Sequence, residues 1–207
     1  MLRAVVFDFG GVLVRTEDHT GRRRWEARLG LGERELDRLV FDSGVAIRAT
    51  VGDVPESAIW EDVAMTLKLA ADQVDVLRRD FWAGDKLDPD LVAVLASLRP
   101  HYKTAILSNA WSSGRETIAR VYGLDQAVDT IIISAEEGLA KPDPRLFQRV
   151  AERLGVKAEE AVLVDDYLPN VDGARAAGWQ AIHFRPGLDV RAELKSLGVT
   201  PPIYPPP

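Results

Sequence analysis

Short apolar runs recur along the chain, most of them ending on a polar residue. Residues 4–7 lead into Asp8, 104–107 into Ser108, 130–133 into Ser134 and 161–164 into Asp165, and a fifth run covers 180–184. Each is too short for a helix and several are rich in β-branched residues, so each predicts a short buried strand. Segments of helical period with identifiable ends lie between them. Asp143-Pro144 sets a capping carboxylate before a proline in the first turn, and Gly155 stops that helix after Leu154. Asp88-Pro89 opens another helix in the same way. Ser113 with Glu116 three residues on fits a capping box for a helix running to about Tyr122, where Gly123 ends it. Pro169 and Gly178 bracket a helix that begins just past Asp165-Asp166. This alternation predicts an α/β fold, a parallel sheet covered by helices on both faces.

Residues 17–85 break the alternation, with helical periodicities around Trp25, Leu36, Trp60 and Val76 and no convincing strand. They predict a helical insertion between the first and second strands, where it would overhang the carboxyl edge of the sheet. The expected division is a core of 1–16 and 86–200, a helical cap of 17–85, and a proline-rich tail of 201–207 that continues neither helix nor sheet.

Composition narrows the partners. Twenty-six basic against 32 acidic residues leave a formal charge of −6, and no basic block stands apart, so nucleic acid is not an expected partner. The chain has no cysteine, so any metal must be held by carboxylates, histidine or carbonyls. The first ten residues lack a signal-peptide layout and no apolar stretch reaches membrane-spanning length. A soluble, cytoplasmic protein with no membrane partner is expected; nothing in the sequence indicates an oligomeric state.

In an open parallel sheet, ligands bind beyond the carboxyl ends of the strands. In chain order those ends offer Asp8, Ser108-Asn109, then Lys141 in a loop before a capped helix, then Asp165-Asp166. Two acidic sites with a lysine and a hydroxyl suit a hard cation and a phosphate group. The stretches Val5-Val6-Phe7-Asp8-Phe9-Gly10-Gly11-Val12-Leu13, Ile106-Leu107-Ser108-Asn109, Lys141-Pro142-Asp143-Pro144 and Val162-Leu163-Val164-Asp165-Asp166 through Asn170 together resemble the haloacid dehalogenase superfamily, specifically phosphatase-like members with a helical cap after the first motif. The resemblance implies a Rossmann-like three-layer α/β/α core and Mg²⁺-dependent hydrolysis of a small phosphorylated metabolite. It makes Asp8 the nucleophile, which forms an aspartyl-phosphate that water hydrolyses. The Gly10 carbonyl would bind Mg²⁺, Ser108 and the Asn109 backbone would hold phosphoryl oxygens, and Lys141 would neutralise Asp8 and phosphate. Asp166 would bind the metal directly, and Asp165 directly or through water.

The chain departs from that pattern at Gly10, where most phosphatases of the superfamily carry an aspartate that protonates the leaving group. Loss of a general acid costs about 10² to 10⁴ in rate. This implies either leaving groups that need little protonation, such as acyl, anomeric sugar or aryl phosphates, or an acid borrowed from Glu17, Asp18 or His19. Two other readings compete: dehalogenation by the same aspartate, which needs no metal and leaves Asp165-Asp166 unexplained, and a non-catalytic phospho-ligand-binding domain. Arg22-Arg23-Arg24 reads as a solvated helix face; His19, His101 and His183 lack metal-ligand spacing; Trp25, Trp60, Phe81 and Trp82 read as core.

Overall fold

A computed structural model of the chain describes residues 1–200; the proline-rich tail, 201–207, lies outside the described residues. The elements run β1 (Ala4–Phe7), β2 (Val14–Thr16), α1 (Thr20–Leu29), α2 (Glu35–Phe41), α3 (Gly44–Thr50), α4 (Ser57–Leu67), α5 (Ala71–Trp82), β3 (Asp85–Leu87), α6 (Pro89–Leu98), β4 (Lys103–Ser108), α7 (Gly114–Glu116), β5 (Thr130–Ile133), α8 (Ser134–Glu137), α9 (Pro144–Leu154), β6 (Ala161–Asp165), α10 (Leu168–Ala176), β7 (Gln180–His183) and α11 (Val190–Ser196). Five strands form one parallel sheet in the order β5-β4-β1-β6-β7. The first strand is therefore central, and the chain reverses its direction of travel across the sheet beside it. In open α/β sheets such a reversal marks the ligand-binding crevice, here beyond the ends of β4, β1 and β6.

The continuous apolar runs are explained by burial on both faces. Side chains alternate sides along a strand. Val5 and Phe7 join Ile106, Ile131, Val164 and Ile182 on one face, under Leu91, Val94, Leu95 and Leu98 of α6 and Leu194 of α11. Ala4 and Val6 join Ala105, Leu107 and Leu163 on the other, against Leu146, Phe147, Val150 and Leu154 of α9. The result is a three-layer α/β/α core. The caps form as expected at two helices: Asp88 accepts from the N–H groups of Asp90 (3.1 Å) and Leu91 (3.0 Å), and Asp143 from Arg145 (2.9 Å).

The capping box at Ser113 does not form. The Ser113 side chain makes no cap bond and instead donates to the Glu56 carboxylate, 57 residues away, while α7 passes after three residues into a π-turn over Thr117–Val121. A buried partner outside the helix outcompetes the local one, and Glu116 pairs with Arg120 instead (3.0 Å).

Helices α1 to α5 occupy the stretch between β2 and β3, two three-residue strands that pair antiparallel with Thr16 opposite Asp85. Trp25, Leu36, Val40, Trp60, Val63, Leu77 and Phe81 form an apolar cluster of their own there. Arg22, within the basic run, is buried rather than solvated. Its guanidinium donates to the Phe81 carbonyl (2.9 Å), Asp37 (3.1 Å) and Thr16 (2.9 Å) and lies 4.0 Å from the Phe81 ring centroid. Its neighbours Arg23 and Arg24 are exposed. The insertion meets the core at Trp111, which follows β4 and packs on Phe41 and Trp82, and at the Glu56 to Ser113 bond. No helix among the described residues is long and apolar enough to cross a membrane.

Candidate active site

Asp8 is the first residue beyond β1, and its N–H donates to the Val164 carbonyl of β6 (2.8 Å). It continues the alternation of Ala4 and Val6, so its side chain lies toward the α9 face of the sheet, as does Asp165 after Ala161 and Leu163. Lys141 enters from that face, on the loop between α8 and α9. Its fully buried ammonium donates to Asp8 Oδ1 (2.9 Å), Asp165 Oδ2 (2.6 Å) and the Leu107 carbonyl (3.0 Å). One acceptor comes from the end of each of the three central strands, and all three N–H donors are used.

The two adjacent aspartates are placed differently. Asp165 is fully buried and accepts, besides Lys141, the Tyr167 N–H (2.9 Å) and the Asn170 amide (3.1 and 3.2 Å). Every oxygen is engaged, which makes Asp165 a hydrogen-bond hub rather than an open ligand. Asp166 is exposed and rests over Gly11, whose φ of 85° suits glycine and whose missing side chain leaves the space that the Asp166 carboxylate fills. Asp8, Asp165 and Asp166 each offer an oxygen within 4.8 Å of the others, and this acid group, the one metal-capable group among the described residues, contains no histidine.

The charge balance fits a divalent cation. With all three carboxyls ionised, three carboxylates against one ammonium leave two negative charges, the charge that one Mg²⁺ offsets, and carboxylate oxygens are its preferred ligands. Burial pushes the Asp8 carboxyl up to about 8, with Asp165 and Asp166 adding to the rise and Lys141 opposing it. Desolvation and the charge of Asp165 likewise raise Asp166. Burial alone would lower Lys141, but Asp8 and Asp165 outweigh it and hold the ammonium above its ordinary range.

The remaining candidates are also located. Ser108 is buried at the end of β4, next to β1. Asn109 turns its side chain to the main chain of Lys141, accepting the N–H (2.8 Å) and donating to the carbonyl (2.8 Å). A Cβ at Gly10 would meet nothing within 4 Å. Of the alternative acids, Asp18 is bound by the Thr20 N–H and hydroxyl and held below the usual carboxylate range, which disfavours proton donation, and Glu17 pairs with Lys86 (3.4 Å). His183 meets the Asp166 carbonyl (3.0 Å). Sequence reasoning assigned no role to Asn170 or Gly11 individually, nor to Gly173, against which Pro142 packs so closely that a Cβ there would lie 2.7 Å from the proline Cβ. The parity of Asp165 along its strand was a usable signal for its burial.

The chain belongs to the haloacid dehalogenase-like hydrolases, whose family model matches residues 2–178. It is 32% identical over 186 residues to phosphatase MT3486 from Mycobacterium tuberculosis, covering 87% of this chain and 86% of that one. A HAD family enzyme from Bacteroides thetaiotaomicron, in complex with magnesium and inorganic phosphate, shares the fold with a TM-score of 0.77 at 17% identity, covering 93% and 99% of the two chains. The L-2-haloacid dehalogenase from Xanthobacter autotrophicus, with chloropropionic acid covalently bound, is similar at a TM-score of 0.66 and 25% identity, covering 97% and 85%.

Proposed function

We propose that the protein is a Mg²⁺-dependent phosphohydrolase of a small phosphorylated metabolite, acting through an aspartyl-phosphate on Asp8. The observation that carries this reading is the Lys141 ammonium shared between Asp8 and Asp165, with the exposed Asp166 alongside. A carboxylate that displaces halide from neutral carbon needs no cation. One that approaches a phosphate dianion does, and the two negative charges that this site carries once Asp8 is ionised call for it. The phosphatase relative and the magnesium- and phosphate-bound structural neighbour support the same reading.

Asp8, the Gly10 carbonyl and Asp166 would hold Mg²⁺, with Asp165 behind them fixing Lys141. When bound, the ion supplies positive charge beside the transferring phosphoryl group and favours the ionised form of Asp8. Asp8 Oδ1 carries the Lys141 ammonium and the Phe9 N–H (2.7 Å), so Oδ2 is the less encumbered oxygen. Asp8 attacks phosphorus as the bond to the leaving oxygen breaks. Water then attacks the same phosphorus, releasing inorganic phosphate and restoring the carboxylate. Lys141 has no N–H to spare for a phosphoryl oxygen and acts through its charge, leaving Ser108 and the Asn109 N–H to bind the phosphate. Helices α1 to α5, residues 17–85 with the adjoining linkers, act as the cap over this crevice.

The test is a panel of phosphorylated metabolites assayed with Mg²⁺, with EDTA, and with Asp8→Asn. Phosphate release that needs Mg²⁺ and Asp8 is expected. Halide release from 2-haloacids that survives EDTA would establish dehalogenase chemistry instead.

A further inference from the structure

We infer that the Asn109 side chain is a positioning residue for Lys141, a role separate from phosphate binding by its backbone; the inference rests on the proposed function of this site. A lysine side chain has four flexible torsions, so its ammonium stays at one point only if both root and tip are fixed. Lys141 lies outside any strand, and the next residue, Pro142, has no N–H with which to join a ladder. Asn109 supplies what a neighbouring strand would, receiving the Lys141 N–H on Oδ1 and donating Nδ2–H to the Lys141 carbonyl, both at 2.8 Å. The tip of the same lysine is tied to the Leu107 carbonyl at 3.0 Å. Lys141 is thus strapped along the end of β4, rooted at residue 109 and tethered at residue 107, with Asp8 and Asp165 placed to receive the other two hydrogens.

The packing around the strap agrees. Gly173 of α10 lets Pro142 sit against the helix. The peptide after Asn109 is fixed in the same manner as Lys141, because buried Ser134 accepts the Ala110 N–H (3.0 Å) and donates to the Ala110 carbonyl (3.2 Å). Only an amide of this length both donates and accepts here: aspartate would set a second carboxylate oxygen against the Lys141 carbonyl, and alanine offers neither bond.

The experiment combines acylation of lysine amines, read residue by residue by mass spectrometry, with steady-state kinetics on wild type, Asn109→Ala and Asn109→Asp. In the wild type Lys141 is fully buried and is expected to resist acylation. In Asn109→Ala its labelling rate is expected to rise about 10-fold or more, and kcat to fall about 10- to 100-fold. KM and inhibition by inorganic phosphate should stay within about 3-fold, because the residue 109 N–H remains. Asn109→Asp, nearly isosteric, carries the test if the alanine variant fails to fold, with the same direction of change expected. Lys141 protection unchanged in both variants, or a rise in KM with kcat retained, would overturn the inference. The labelling needs no substrate. A wild-type protein that hydrolyses no phosphate ester would therefore defeat the proposed function while leaving the lysine test intact.

Discussion

Replacing Gly11 by alanine separates the metal-binding role proposed for Asp166 from the rest of the site. The residue has φ of 85°, where a Cβ costs about 1–2 kcal/mol. The same Cβ would fall inside the van der Waals envelope of the Asp166 carboxylate, which must retreat. Coordination distances tolerate only about 0.2 Å of error, so Asp166 is lost as a direct ligand and Mg²⁺ affinity should drop about 100-fold. The stability cost alone lowers Tm by roughly 2 to 8 °C in a chain of this size. At Mg²⁺ 100 times the wild-type Kd, the ion stabilises the wild type by about 2.7 kcal/mol and the variant by about 0.4 kcal/mol. Thermal melts with and without Mg²⁺ read the difference: a wild-type shift of roughly 5 to 11 °C should shrink to about 1 or 2 °C. Gly10→Ala is the internal comparison, since its Cβ meets nothing, and its metal-free Tm should stay within about 2 °C of wild type. A Gly11→Ala protein that keeps the full Mg²⁺-dependent shift would refute the assignment of Asp166 as a ligand.

Two further outcomes rest on the same geometry. In the metal-free protein Asp8 has its carboxyl pushed up to about 8 from an unfolded value of 3.8, so the native state binds the extra proton and stability falls as pH rises through that window. The slope contributed by this one group approaches about 1.4 kcal/mol per pH unit in mid-window. Urea melts from pH 4 to 8 should show it, with Asp8→Asn or added Mg²⁺ flattening it, and a metal-free stability that climbs over the same range would contradict it. Separately, the open space at Gly10 admits a carboxylic acid, so Gly10→Asp should weaken the dependence of kcat/KM on leaving-group pKa relative to a steep wild-type dependence. Equal dependence in the two proteins would show that the wild type already draws a proton from elsewhere.

Strands β1, β4, β5 and β6 were legible because each is buried on both faces and so reads as an apolar run closed by a polar residue. Asp8, Ser108 and Asp165 were legible for the same reason, since each is the polar residue that closes such a run. Their convergence depends on strand order: β1 lies between β4 and β6, which chain order alone does not dictate. Features set by distant partners escaped. Ser113 bonds to Glu56 rather than to its own helix, and Arg22 is indistinguishable in sequence from its exposed neighbours until Phe81, Asp37 and Thr16 surround it. The ribbon of β2 and β3 has three residues per strand, too few for a period to show. Asp165 and Asp166 look alike as residues, but strand parity turns one toward Lys141 while its neighbour stays exposed.

The central claim is that Asp8 forms a covalent bond to phosphorus. Acid quenching during steady-state turnover with Mg²⁺, with peptide mass spectrometry of the quenched protein, measures it directly. A phosphoryl group on the peptide containing Asp8, absent from Asp8→Asn and from samples treated with EDTA, is the expected result. Sustained turnover with the phosphoryl group on another residue, or undiminished turnover by Asp8→Asn, would contradict it.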